Sequence, residues 1–141
     1  DAVERIVVID QISKIATPHM ATATQYERTN EVSELLRQAA MEHCVPVVLV
    51  VQVNREGGKR DGELQLHDLR DSGMLEQDAT AVLLIDKAEI PPAVSGHPKN
   101  FAKILPVKLA KNRFGPAGGT VKLLWHPRTA RIDDLALEGE R

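Results

Sequence analysis

The chain holds a single cysteine, Cys44, so no internal disulfide can brace it, and that usage fits a reducing compartment. Aromatic residues are scarce: Tyr26, Phe101, Phe114 and Trp125 are the whole set in 141 residues. So few rings argue against a stacking platform for single-stranded nucleic acid. No charge of one sign dominates, since 18 Lys plus Arg face 20 Asp plus Glu and leave −2. Any contact with nucleic acid must therefore be local rather than the work of a global basic field. No apolar run approaches the roughly 18 residues of a membrane span, and no signal peptide opens the chain. We expect a cytoplasmic protein with no membrane partner. The five histidines lie at least 24 residues apart, which with one cysteine leaves no metal-ligand spacing. Neither G-x-S-x-G nor G-x-G-x-x-G occurs. The phosphate-cradling G-x-x-x-x-G-K-[ST] is also missing, because Gly57-Gly58-Lys59-Arg60 has neither its spacing nor its hydroxyl.

What is present is a globular balance, 43% hydrophobic and 27% charged, in a length that suits one domain. The chain opens on Asp and enters a strand within a few residues. We expect residues 1–141 to be a single partial domain cut from a longer protein, with 87–103 as a loop insertion. Ile6 to Asp10 is a continuous apolar run ending in a carboxylate, which predicts a strand buried on both faces and hence parallel. Val32, Leu35, Leu36, Ala39 and Ala40 form one stripe on a helix from about Tyr26 to His43, with His43 at the edge of the core. Pro46 to Val51 predicts a second parallel strand, and strand–helix–strand at these lengths is a right-handed βαβ unit. Thr80 to Ile85 predicts a third strand of the same kind. Ile104 to Asn112, Thr120 to His126 and Thr129 to Asp133 alternate like antiparallel strands, and Gly115 to Gly119 marks a hairpin. The fold class is α/β: a mostly parallel sheet with a flanking helix and an antiparallel C-terminal β-hairpin.

In open parallel sheets, ligands bind beyond the carboxyl ends of the strands. Asp10 and Gln52 both fall there, on strands joined by one crossover. An acid after an apolar strand is the Walker B pattern, which holds nucleotide-bound Mg²⁺, and a glutamine can orient a water at a γ-phosphate. Each is equally readable as an ordinary solvated residue at a strand end. Lys111 and Arg113 occupy alternate positions near the hairpin tip, so they share a face. They read either as a solubilising edge or as an arginine finger delivered to a neighbour's phosphate. Trp125 reads as packing. The polar segment Leu66 to Ala79 reads as a capped helical turn before a strand, with no chemistry assignable from its composition.

In order, these pieces resemble the C-terminal half of the RecA-like motor domain of DnaB-type replicative helicases. The residues that carry the resemblance are Ile6 to Asp10, Glu31-Val32-Ser33, Val45-Pro46-Val47, Val51-Gln52-Val53-Asn54-Arg55 and Lys111 to Gly118. The most specific is Asp68 to Ala79, which matches D-L-R-[ED]-S-G-x-[IL]-E-Q-D-A without a gap. The resemblance implies a P-loop core whose Walker A strand and helix lie outside this chain. It also implies a hexameric ring that hydrolyses ATP at subunit interfaces and translocates on single-stranded DNA. Asp10 would be the Walker B carboxylate acting on Mg²⁺ bound with ATP, and Gln52 the group at the γ-phosphate. Arg113 would be the finger acting across the interface, with Lys111 beside it, so that Asp10, Gln52, Lys111 and Arg113 together hold the nucleotide. Arg70, Asp71 and Gly73 match the pore loop that tracks the DNA backbone. A primase or helicase loader is the expected protein partner.

Gln11-Ile12-Ser13 stands where the family has Y-L-Q, Val51 where it has Ser and Phe114 where it has Asn. These departures suggest a divergent member, of the kind carried by a phage or mobile element. The resemblance places the family's catalytic glutamate outside these residues, so the chain alone is expected to be inactive. The alternatives are another RecA-like ATPase of recombinase type and a catalytically inactive RecA-like interaction module.

Overall fold

A computed structural model describes residues 5–16, 22–54, 62–69, 73–89 and 102–135. The chain divides into two compact units, Asp1–Ala79 and Thr80–Arg141.

The first unit is a strand–helix–strand layer. Strands β1 (Val7–Asp10) and β2 (Val47–Val50) pair in parallel, with Asp10 opposite Val50. Between them runs helix α1 (Gln25–Glu42). Its start is fixed by a reciprocal capping box. The Glu27 N–H donates to Thr24 Oγ1 at 3.2 Å, and the Thr24 N–H donates back to Glu27 Oε2 at 2.7 Å. The Thr24 hydroxyl also donates to Glu27 Oε2 at 2.8 Å, and the two donors, the Thr24 backbone N–H first and its hydroxyl second, lower the Glu27 pKa. Two turns on, the Arg37 guanidinium grips Glu34, with Gln38 adding a further donor, and the Glu34 pKa falls to about 2.

The buried stripe of α1 keeps Val32 and Leu36 from the expected set but is rotated toward Thr29 and Ser33. Thr29, Val32 and Ser33 are buried and Leu36 packs on the core, at offsets 0, 3, 4 and 7, whereas Leu35 is 50% exposed and Ala39 and His43 are exposed. Two hydroxyl residues turn the face inward because each finds a partner. The Ser33 hydroxyl donates to Asp78 Oδ2 at 2.6 Å, and Thr29 Oγ1 accepts from Gln25 Nε2 at 3.5 Å. Val32 meets Ile12 and Leu75 in the small core, with Ile15, Leu36, Leu49 and Val51 packed against it. Helix α2 (Gly73–Asp78) supplies Leu75 and Asp78 to this contact. Burial on both faces, expected of the Ile6 to Asp10 run, is not realised: Ile6, Val7 and Val8 are exposed, because β1 is laddered only to β2 among the described residues. Cys44 is exposed as well.

The second unit is a four-stranded antiparallel sheet in the order β3 (Ala81–Ile85), β4 (Lys103–Asn112), β5 (Thr120–His126), β6 (Arg131–Asp134). The third expected parallel strand, β3, therefore runs antiparallel to β4. A continuous apolar run signals burial but not direction. The antiparallel direction continues past β3, where Glu89 and Ile104 bridge each other antiparallel. Residues 90–101 of the expected 87–103 insertion lie outside the described residues. The expected hairpin is present as β4–β5, closed by Gly118 N–H to Leu109 O at 2.7 Å and Leu109 N–H to Gly119 O at 2.9 Å. Gly118 sits at φ +94°, a conformation that favours glycine. Trp125 is half-buried, and the Lys103 ammonium lies 5.8 Å from its ring centroid on the neighbouring strand. It packs, as expected.

Candidate functional site

Asp10 is the last residue of β1, and Gln52 lies two residues beyond Val50, the partner of Asp10 on β2. The parallel ladder thus brings an exposed carboxylate and an exposed amide to the same carboxyl end of adjacent strands. Local sequence explains the placement. Immediately after Asp10 the chain turns through the 3-10 segment Ile12–Lys14, and buried Ile12 pins that turn into the core. After Gln52 the chain does not drift into solvent. Val53 bridges Leu69 antiparallel, and the Asn54 N–H donates to Asp68 O at 2.8 Å.

Those contacts tie the end of β2 to the segment that composition left without a role. Asp68 is 2% exposed, and its Oδ2 accepts the Gln65 N–H at 2.9 Å, capping the 3-10 turn Leu66–Asp68. With Leu75 in the core and Asp78 holding Ser33, three positions of the Asp68 to Ala79 motif are structural anchors. The signal for them was present in the sequence as acids inside an otherwise capped, apolar-bounded segment. Their partners Ser33 and Gln65 are polar residues that periodicity files as solvent-facing. Arg70 and Asp71 lie outside the described residues, while Gly73 opens α2 and is exposed.

In the second unit, Lys111 lies near the end of β4 and Arg113 follows it, exposed, in the turn. The main chain there is held on both sides. The Arg113 N–H donates to Thr80 O at 2.8 Å, and Asn112 stands opposite Ala81 in the ladder. The Asn112 side chain spans the turn, accepting the Phe114 N–H at 3.2 Å and donating to Pro116 O at 3.3 Å. Phe114 is 86% exposed.

Among the described residues no group of three His, Cys, Asp or Glu side chains gathers to hold a metal, and no helix is long and apolar enough to cross a membrane. A lone strand-end carboxylate suits Mg²⁺, which keeps several waters and takes one or two carboxylates alongside substrate phosphates. The donor set at Asp10 therefore fits an ion that arrives with its nucleotide.

Residues 3–134 match the family model described as DnaB-like helicase C terminal domain. Among curated proteins, the replicative DNA helicase DnaB of Haemophilus influenzae is 32% identical over 139 residues, covering 96% of this chain and 28% of the helicase. DnaB of Leifsonia xyli is 33% identical over 135 residues, covering 94% and 28%. A solved DnaB-like replicative helicase, studied with its interactions with primase, superposes with a TM-score of 0.75 at 30% identity, covering 93% of this chain and 31% of its own. The chain thus spans just over a quarter of the length of the curated relatives it matches.

Proposed function

Since the chain belongs to the DnaB-like helicase C-terminal domain family, we propose that it is part of a hexameric, ATP-dependent replicative DNA helicase that moves on single-stranded DNA. Its relatives are replicative DNA helicases, and its α/β fold is similar to that of a DnaB-like helicase, which supports this reading. The observation that carries the proposal is the position of Asp10 and Gln52 at the carboxyl ends of two hydrogen-bonded parallel strands, where nucleotides bind in such sheets.

In this reading Asp10 would hold the Mg²⁺ that accompanies ATP, which would supply charge neutralisation at the phosphates. Gln52 orients a water or a γ-phosphate oxygen, and the Val53–Leu69 bridge passes its position to the loop that carries Arg70, Asp71 and Gly73. That loop contacts the DNA backbone with one cation and backbone N–H groups, which suits sequence-independent tracking. Lys111 and Arg113 serve the nucleotide of a neighbouring subunit. Primase is the protein partner on this reading, by analogy with the structural relative. The 141 residues contain no phosphate cradle, so by themselves they do not hydrolyse ATP.

The test is Asp10→Asn in the complete protein. ATP turnover should fall by about 100-fold or more, the scale of losing one preorganised charge-stabilising group, with the fold retained. Turnover at the parental rate would overturn the assignment.

A further inference from the structure

The hairpin tip that carries Arg113 is shaped by a side chain that the nucleotide reading does not use. Asn112 accepts the Phe114 N–H through Oδ1 and donates through Nδ2 to Pro116 O, so one amide clasps the turn from both ends. Gly115 leaves room for that clasp, since a Cβ there would lie 3.0 Å from Asn112 Nδ2. On the other side, the Arg113 N–H is bonded to Thr80 O, so the backbone of Arg113 is fixed between a ladder and a clasped turn. We propose that Asn112 is a positioning residue that sets the direction in which Arg113 leaves the hairpin. This rests on the reading of Arg113 as a finger for a neighbour's nucleotide and deepens it. A finger is useful only if its guanidinium is already in place, because displacement of about 1 Å in a catalytic group can cost about 100-fold in rate. A free arginine on an unclasped turn would have to be ordered at each turnover.

In the complete protein, Asn112→Ala should lower kcat for ATP by about 10-fold, with KM and thermal stability nearly unchanged. Gly115→Ala, which crowds the same amide from outside it, should act in the same direction and reports on the clasp if Asn112→Ala fails to fold. The decisive readout is complementation. Rings mixed from Asn112→Ala and Asp10→Asn subunits contain interfaces at which an intact Asp10 meets an intact clasp, so they should exceed the activity of either variant alone. Parental kcat in both clasp variants, with Arg113→Ala inactive, would overturn the inference and spare the finger. Failure of the mixed rings to exceed either parent would assign Asn112 a structural role within its own subunit. Parental turnover in Arg113→Ala would remove the finger reading, and this inference with it.

Discussion

Asp68 carries a burial cost that only its hydrogen bonds offset. A carboxylate 2% exposed must be satisfied by donors, and the Gln65 N–H at 2.9 Å is one of them. Asp68→Ala should therefore destabilise the protein by about 1–3 kcal/mol, the usual cost of stranding a buried donor, as read by chemical denaturation. Asp68 O is the main-chain acceptor of the Asn54 N–H, so that link between the end of β2 and residue 68 does not depend on the carboxylate. Arg70 acts at the same scale with a different signature. Arg70→Ala in the complete protein should weaken single-stranded DNA binding about equally across sequences and flatten its salt dependence, as loss of a phosphate contact does. A defect confined to some sequences would place Arg70 on bases instead. The positions of Asp10 and Gln52 at strand ends and of Lys111 and Arg113 at the hairpin tip were legible in the sequence, because strand ends and hairpin tips are marked by abrupt changes of pattern. Asp68 and Asn112 were not, since what they do depends on backbone groups that no residue pattern displays.

At the scale of elements, α1 carries two local devices of its own, a capping box at its start and an ion pair at mid-helix. The Thr24–Glu27 box and the Arg37 grip on Glu34 are both exposed, so each titrates without cooperation from the core. Glu34 has its pKa depressed from 4.5 to about 2. Its contribution is thus present above pH 4.5 and lost as the pH falls through about 2. The melting-temperature difference between the parent and Glu34→Gln should be constant from neutral pH down to about 4.5, shrink below it, and diminish in high salt. A difference that persisted at pH 2 would show that the Glu34 carboxylate is not its source. Helix, strands and hairpin were readable to within a residue or two from period and turn signals. The stripe of α1 was partly misread because Thr29 and Ser33 are buried through hydroxyl bonds, which apolar periodicity does not register. The direction of β3 was misread because Ala81 to Ile85 is as apolar as a parallel strand, while its antiparallel pairing is with the distant β4.

For the whole molecule, the exposed apolar surface is the dominant fact. Ile6, Val7 and Val8 lie open on and beside β1. In the second sheet, Leu83, Ile85, Val121 and Ile132 fall on one face by register and are all exposed. These apolar faces are open in a chain that spans just over a quarter of its relatives' length. The residues proposed to serve the nucleotide are divided between the two units. Asp10 and Gln52 sit on one compact unit and Arg113 on the other, and the account has Arg113 serve the neighbouring subunit. The most direct measurement is the ATPase rate of complete-protein rings mixed from Arg113→Ala and Asp10→Asn subunits. A finger acting across the interface predicts that Arg113→Ala binds ATP normally and that the mixed rings are more active than rings of either variant alone, because some interfaces then pair an intact Asp10 with an intact Arg113. Mixed rings no more active than the separate variants would contradict an active site shared between neighbours.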